Sequence, residues 1–135
     1  SKSELIRVFS GLDYSVLIHL YINAESLLIP ISNSIQDRAR FPQKISEYLA
    51  SGNPIITTNF GEIPYYFKDG ENALVTNENT AIAIAGKMNF VINNPKESKI
   101  IGRKGYKTGL KYFDNKSYSK KLEKFVIETI NSKNQ

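Results

Sequence analysis

The sequence contains no cysteine and a single histidine, His19, among its 135 residues. These absences exclude a disulfide scaffold, a thiolate metal site and a zinc site built from histidines. We therefore expect no bound metal. One histidine also gives no basis for a Ser–His–Asp triad, so hydrolysis through an activated nucleophile is not expected. His19 lies in an apolar segment typical of a packed helix, and we assign it no role.

The sequence also lacks an apolar run long enough to cross a bilayer, and its first residues show no secretory pattern. We therefore expect a cytoplasmic protein. A chain of 135 residues suits one domain, spanning 1–135. A chain of this length buries about two-thirds of the surface that its unfolded state exposes.

What the sequence does have is an excess of positive charge, with 18 lysines and arginines against 13 acidic residues and a formal net charge of +5. This balance favours anionic ligands or surfaces. It does not choose between a nucleotide, a lipid headgroup and a nucleic acid.

Short apolar runs alternate with helical patterns along the first two-thirds of the chain. We predict strands at 6–11, 27–31, 54–58 and 73–76, a helix from Asp13 or Ser15 to about Asn23, and a helical turn at 63–67. Strands separated by helices indicate a parallel sheet. The predicted fold class is therefore α/β, with a Rossmann-like parallel sheet of about four strands flanked by helices. Ligands of such sheets bind beyond the carboxyl ends of the strands, where residues 32–44 and 59–63 would fall.

The most informative segment is RFPQKISEYLASGNPIITTNFGEIP, residues 40–64. Pro42 suits the first turn of a helix, because its fixed φ and missing N–H cost nothing there. Ile45, Tyr48 and Leu49 then follow the i, i+3, i+4 spacing of a buried stripe. Gly52 is a helix stop. The segment therefore predicts a helix that packs on one face and leaves Lys44 and Glu47 on the other.

The beginning of this helix is a candidate anion site. Its first N–H groups have no partner within the helix and carry the positive end of the dipole. Lys44 adds a charge in the first turn, with Arg38 and Arg40 just upstream. Glu47 could accept two hydrogen bonds from a vicinal diol such as a ribose. The alternative is an i, i+3 ion pair between Lys44 and Glu47 on a solvated helix, which would contribute only a few tenths of a kcal/mol.

The C-terminal third reads as helical. Two apolar stripes at helical spacing predict core-facing surfaces, one made of Ala81, Ile84, Ala85, Met88, Val91 and Ile92 and the other of Tyr118, Leu122, Phe125, Val126 and Ile130. Between them, Lys99, Arg103, Lys107 and Lys111 recur at i, i+4. We interpret this basic side as a solvated helix face, with contact to an anionic membrane as the alternative. Nucleic-acid binding is not expected, because Tyr106, Tyr112 and Phe113 are better explained as anchors of the helix.

The ordered series of segments resembles the donor-binding, C-terminal domain of GT-B fold glycosyltransferases of group 1. The family signature E-x-L-A-x-G-x-P followed by a glycine loop is matched by FPQKISEYLASGNPIITTNFGEIP. DGENALVT (69–76) and NTAIAIAGKMNFVINNP (79–95) resemble the strand and helix that come next. Upstream, IRVFSGL and YSVLIHLYINAESLLIP (14–30) resemble the elements that precede the signature. The resemblance covers nearly the whole chain.

The resemblance implies a retaining, metal-independent transfer of a sugar, such as a hexose, from a nucleoside-diphosphate donor to a glycan or lipid-linked acceptor, in a setting such as polysaccharide biosynthesis. The nucleotide sugar is a substrate, and no cofactor is implied. Glu47 would hold the ribose, Lys44 and the amides of 41–44 the diphosphate, and the loop 59–63 would border the sugar. Lys44 would be the catalytic residue. The implied donor-binding residues are Arg40, Phe41, Pro42, Gln43, Lys44, Glu47, Gly61 and Glu62.

Two departures from the family pattern leave alternatives open. The family often has an acid eight positions before Glu47, and that position is Ala39 here. The chain also matches only the donor half, incomplete at its N-terminal side and without an acceptor domain, so alone we expect it to be inactive. A non-catalytic nucleotide- or phosphate-binding module and one subunit of a split transferase are the alternatives. The face from Tyr118 to Ile130 would then meet a partner domain or a second copy, and membrane contact would be peripheral, at the inner face.

Overall fold

The computed structural model describes residues 5–133, without the side chains of Ser117 and Lys133. Within these residues, three strands form one parallel sheet in the order β1 (Leu27–Ile29), β2 (Ile55–Thr58), β3 (Leu74–Thr76). The helices are α1 (Tyr14–Asn23), α2 (Ile35–Arg38), α3 (Lys44–Ser51), α4 (Ile63–Tyr66), α5 (Ala81–Asn93), α6 (Pro95–Tyr112) and α7 (Asn115–Lys133). The α/β class and the parallel sheet flanked by helices are confirmed.

The predicted strand at 6–11 is wrong, and the sheet has three strands in the described residues where about four were predicted. Side chains of this segment face solvent: Ile6 is 73% exposed and Val8 is 89% exposed. An apolar, β-prone run becomes a strand only when a neighbouring strand pairs with its backbone. Within the described residues no strand pairs with this segment, and the outer edge of β1 is left unpaired.

The core lies on both faces of the central strand. One cluster joins Ile45 and Leu49 of α3 to Ile55, and the other joins Ile56 to Val91 of α5 and Ile101 of α6. All four residues of β2 are buried, as expected for a parallel strand covered on both faces. The hydroxyl of Thr58 accepts from the Ile31 N–H at 2.8 Å and donates to the Ile31 carbonyl. These bonds fix the backbone just after β1, at the carboxyl edge of the sheet.

Helix α6 packs closely on α3 and the turn that follows it. Three glycines face this contact: a Cβ at Gly102 would lie 2.8 Å from the Asn53 carbonyl carbon, and one at Gly109 would lie 3.0 Å from the Leu49 Cβ. A Cβ at Gly105 would lie 2.8 Å from the Asn72 carbonyl oxygen. The absence of side chains at these positions therefore allows α6 to support α3 from behind.

The two apolar stripes predicted as core surfaces are only partly correct. In α5 the buried side is formed by Val91, with Ile84 and Phe90 packed beside it, whereas Met88 and Ile92 are exposed. The stripe of α7 is exposed along its length, and 63% of the surface of Phe125 is accessible to solvent. Regular apolar spacing marks the face of a helix that could be buried, but it does not say whether a covering element is present.

Candidate functional site

The predicted helix of the signature segment is present as α3, and it ends at Gly52 with a left-handed φ of 76°. It begins at Lys44, two residues later than Pro42 suggested. The N–H groups of Ile45 and Ser46 donate to the carbonyls of Pro42 and Gln43 at 3.1 and 3.2 Å, which tightens the first turn. Gln43, the N-cap, makes no side-chain capping bond. The positive end of the helix thus opens towards the carboxyl edge of the sheet.

Lys44 reaches from this first turn to the phenol of Tyr21 on α1. Its ammonium donates a hydrogen bond to the Tyr21 hydroxyl at 3.1 Å, and 53% of its side chain stays exposed. Tyr21 is itself buried and meets Tyr48 edge-to-face, with ring centroids 4.9 Å apart. The hydrogen bond to Tyr21 raises the pKa of the Lys44 ammonium above its ordinary value. The lysine is therefore charged, held at its tip and open to solvent.

Glu47 lies one turn deeper on the same side of α3. Its Oε2 is 3.9 Å from the Lys44 Nζ, so the ion pair weighed as the alternative is present, although long. Pairs this exposed contribute roughly 0–1 kcal/mol. The same Oε2 atom is buried and has no hydrogen-bond partner within the described residues.

A cavity of about 450 Å³ opens beside Lys44. We call it the basic cavity; its lining residues are Ile29, Pro30, Ile31, Asp37, Arg40, Phe41, Pro42, Gln43 and Lys44. Arg40 donates two hydrogen bonds to Asp37 Oδ1, at 2.7 and 3.1 Å. The hydroxyl and N–H of Ser32 donate to Asp37 Oδ2 and, with Arg40, lower the pKa of this carboxyl to about 2. Because Asp37 offsets Arg40, Lys44 supplies the net positive charge.

A second cavity, of about 610 Å³, opens on the other side of the beginning of α3. We call it the aromatic cavity; its lining residues are Phe41, Gln43, Ser46, Glu47, Glu62, Tyr66, Tyr112, Phe113, Asn115 and Tyr118. Phe41 and Gln43 line both cavities and separate them. Tyr66 is one of these lining residues, and burial raises the pKa of its hydroxyl.

The loop after β2 approaches the site through Gly61, which has a φ of +59°. A Cβ there would lie 3.3 Å from the Asp37 carbonyl oxygen and 3.4 Å from the Arg38 Cα. Gly61 therefore lets the loop rest on the end of α2, but it lines neither cavity. Glu62 follows it and is exposed at the aromatic cavity.

The structure thus gathers seven of the eight predicted donor-binding residues around two adjoining cavities, with Gly61 behind them. Sequence reasoning missed Tyr21, Asp37 and the aromatic side chains at 66, 112, 113 and 118. Ser32, Asp37 and Arg40 are close in the sequence, so hydrogen bonds from Ser32 and Arg40 to the Asp37 carboxylate could have been predicted. No local pattern pairs Tyr21 with Lys44, because 23 positions separate them.

The model of the family "Glycosyl transferases group 1" matches residues 2–108. The chain belongs to this family. The resemblance read from the signature segment is therefore confirmed, and the parallel sheet agrees with the GT-B architecture. No curated protein matches the chain significantly.

Two solved structures are similar to this group 1 glycosyltransferase chain: Anabaena Alr3699/HepE in complex with UDP and the same protein in complex with UDP-glucose. Each aligns with a TM-score of 0.72 at 16% identity, over 81% of this chain and 29% of that chain. At this identity the likeness concerns the fold. The chain spans less than a third of the length of the structures it matches.

Two features are absent from the described part of the chain, residues 5–133. No cluster of three or more histidine, cysteine, aspartate or glutamate side chains suited to a metal ion occurs there. Residues 5–133 likewise contain no helix with both the length and the apolar character needed to cross a membrane.

Proposed function

We propose that this chain is the sugar-nucleotide-binding part of a retaining, metal-independent glycosyltransferase that acts on a glycan or lipid-linked acceptor. The observation that carries the proposal is the pair of cavities at the beginning of α3. One has a net positive charge from Lys44, and the other presents the Glu47 carboxylate. A nucleoside diphosphate has the matching parts, an anionic diphosphate and a ribose diol.

The diphosphate would occupy the basic cavity. There it meets the Lys44 ammonium, which Tyr21 holds in place, and the positive end of α3. The ribose hydroxyls would donate to the Glu47 carboxylate, whose side chain is 36% exposed. Arg40 is held by Asp37 and therefore contributes less to anion binding than Lys44.

In the reaction, the bond between the anomeric carbon and the diphosphate oxygen breaks, the oxygen of the acceptor hydroxyl bonds to that carbon, and the hydroxyl proton passes to the departing diphosphate. The leaving diphosphate gains negative charge in the transition state. Groups already fixed near that charge stabilise the transition state more than the bound substrate. Lys44 is the proposed catalytic residue, because its hydrogen bond to Tyr21 fixes its ammonium in advance.

Calorimetry of the purified chain with UDP, GDP and ADP tests this proposal. A charge-assisted hydrogen bond contributes about 1.5–3 kcal/mol, so Lys44→Ala should weaken binding of the preferred nucleotide by about ten- to a hundredfold. Lys68→Ala is the matched control, because Lys68 also lies 3.9 Å from a glutamate at i+3, Glu71, on another surface. Equal affinities of wild type and Lys44→Ala for every nucleotide would refute the assignment.

Ala39 favours one alternative, a nucleotide-binding module without turnover. It caps the short helix α2 and is exposed at the position, eight residues before Glu47, where the family resemblance implies an acid. Such a module would bind UDP and UDP-glucose equally, because nothing would recognise the sugar. A transferase, or the subunit of a split transferase, would bind the nucleotide sugar differently from the nucleotide alone.

The exposed faces of α6 and α7 support proposals for contacts with a membrane and with a partner. Lys99, Arg103, Lys107 and Lys111 are exposed on α6 and would face the anionic inner membrane surface, where a lipid-linked acceptor resides. The exposed face of α7 would contact the acceptor domain or a second copy. The proposed location is the cytoplasm, with peripheral membrane contact.

A further inference from the structure

A third cavity is lined by α4, the turn that follows it and the last turns of α6. Its volume is about 370 Å³, which lies within the range of small-ligand sites. We call it the lysine cavity, because its lining side chains include Lys68, Lys107 and Lys111. Glu71 is the one carboxylate among the described residues that line it. The cavity therefore carries an excess of positive charge.

This excess comes from the two lysines of α6. The Lys68 Nζ lies 3.9 Å from the Glu71 Oε2, so these two charges offset each other. Lys107 forms no ion pair with any residue that the structure describes. The Lys111 Nζ lies over the Tyr112 ring, 4.7 Å from its centroid, which holds the ammonium through a neutral partner.

The stability of α6 does not explain both lysines. A cation in the last turn of a helix stabilises its negative end, and Lys111 lies in that turn. Lys107 lies one turn earlier, because α6 ends at Tyr112 and the effect of the dipole is confined to the last turn. A second lysine facing the same cavity therefore favours a ligand.

Asn72 and Thr108 fix the spacing between the two sides of the lysine cavity. The Asn72 amide donates to the Tyr66 carbonyl and to the Thr108 hydroxyl oxygen, both at 2.9 Å. Its Oδ1 accepts from the Lys68 N–H at 2.8 Å. These bonds join α4, the turn after it and α6, so the backbone that carries the lysines is arranged before a ligand arrives. Such preorganisation reduces the entropic cost of binding.

The charge of the lysine cavity favours a compact dianion. A lysine ammonium is a point charge, without the planar fork through which arginine pairs with a carboxylate. A phosphate monoester carries about −1.5 to −2 charges at pH 7, which matches two ammonium groups. A phosphate diester carries a single negative charge and gains less from the same pair.

We propose that the lysine cavity binds the phosphoryl group of a phosphate monoester, with Lys107 and Lys111 donating to its oxygens. Tyr66 and Tyr112 line both this cavity and the aromatic cavity and separate them. Lys44 does not line the lysine cavity, so this inference goes beyond the proposed nucleotide site and does not depend on it. The monoester belongs either to a soluble molecule or to a lipid headgroup such as that of phosphatidic acid.

Amide NMR titration of the full chain with methyl phosphate tests the soluble source, and dimethyl phosphate is the matched diester. Methyl phosphate should shift the amides of Asn72 and Thr108, and dimethyl phosphate should bind more weakly. Because an exposed ammonium contributes less than a buried one, Lys107→Ala should weaken methyl phosphate binding about three- to tenfold. Lys99→Ala is the control, since Lys99 is also exposed on α6 but does not line the cavity. Glu71→Gln should strengthen binding, because it removes the carboxylate.

Vesicle sedimentation tests the lipid source. Phosphatidylcholine vesicles contain either phosphatidic acid, a monoester, or phosphatidylglycerol, a diester, at the same surface charge. A headgroup in the lysine cavity gives a preference for phosphatidic acid that Lys107→Ala abolishes and Lys99→Ala preserves. Both lysines are exposed, so neither substitution should prevent folding.

The inference is overturned if neither monoester binds more tightly than its diester. Equal losses in Lys99→Ala and Lys107→Ala would also overturn it, because the charge would then act as a diffuse surface and not as a cavity. A methyl phosphate titration that shifts only amides near Lys44 has the same consequence. Failure of the proposed function looks different, because in that case UDP affinity is absent or insensitive to Lys44→Ala.

Discussion

The Lys44 ammonium and the Tyr21 hydroxyl form a hydrogen bond of 3.1 Å that ties the first turn of α3 to the end of α1. Tyr21 is buried and packed against Tyr48, so its oxygen is a fixed point. A lysine side chain on its own has many rotamers, and immobilising it costs free energy. The bond therefore prepares the ammonium for an anion before any ligand arrives.

We predict that Tyr21→Phe weakens nucleotide binding by about two- to tenfold, less than Lys44→Ala does, because it removes the bond that positions the ammonium but not the bond from the ammonium to the anion. The charge of Lys44 remains, but its position becomes less defined. Calorimetry with the preferred nucleotide measures the change. Tyr14→Phe on the same helix is the control, since Tyr14 is exposed. An unaltered affinity in Tyr21→Phe would show that Lys44 does not depend on this contact.

We predict that Asp37 makes the stability of the chain depend on pH in the acid range. Its pKa is lowered from 3.8 to about 2 by the bonds from Ser32 and Arg40. A lowered carboxyl pKa stabilises the fold above pH 3.8, and this stabilisation is lost as the pH falls towards 2. Asp37→Asn should therefore lower the melting temperature at neutral pH. Over the acid range in which Asp37 titrates, the melting temperature of this variant should fall less steeply than that of the wild type.

Thermal melts at a series of pH values measure the effect. Asp13→Asn is a suitable control, because the Asp13 side chain makes no capping bond to α1. Parallel pH curves for wild type and Asp37→Asn would contradict the prediction.

We predict opposite effects for two glycine-to-alanine changes in helices. At Gly102 a Cβ would collide with backbone atoms of the turn after α3, including the Asn53 carbonyl carbon at 2.8 Å, so Gly102→Ala should destabilise by about 1–3 kcal/mol. At Gly86 of α5 nothing lies within 4 Å of the added carbon, so Gly86→Ala should stabilise by about 0.5–1 kcal/mol. Urea unfolding measures both. A Gly102→Ala variant at least as stable as the wild type would mean that α6 does not pack as described.

We predict that the isolated chain self-associates through α7. Leu122 and Phe125 are each 63% exposed, and Ile130 is 55% exposed, which is unusual for one face of a helix. Phe125→Lys should shift the equilibrium towards the monomer, because a charge in an apolar contact is unfavourable. Light scattering at micromolar concentrations follows the association, with Ile82→Lys, at an exposed position of α5, as the control. A monomeric wild type would contradict the prediction.

Local signals predicted the elements that carry the site. Pro42 and Gly52 predicted the two ends of α3 to within a few residues. The β-branched run at β2 predicted a buried strand, and all four residues of β2 are buried. The segment 6–11 has the apolar composition of a strand, but it pairs with no strand in the described residues. A strand depends on pairing across the sheet, and composition alone does not reveal that.

In the candidate site, too, residues related by local spacing were predicted and residues brought together by tertiary packing were not. Lys44 and Glu47 were found because a helix places them one turn apart, and their roles remain predictions. The wall of Phe41, Tyr66 and Phe113 was missed because three distant segments contribute one ring each. Only tertiary packing brings such rings together, so no spacing in the sequence indicates a cavity there.

The outer edge of β1 offers few backbone hydrogen bonds to an added strand. The Leu27 N–H already donates to the Pro54 carbonyl, so in this brief strand Leu28 is the residue whose main-chain groups turn outward. Pro30 then follows with no N–H to offer. A foreign segment laid along β1 would gain too few bonds to extend, which makes fibril-like stacking on this border unfavourable.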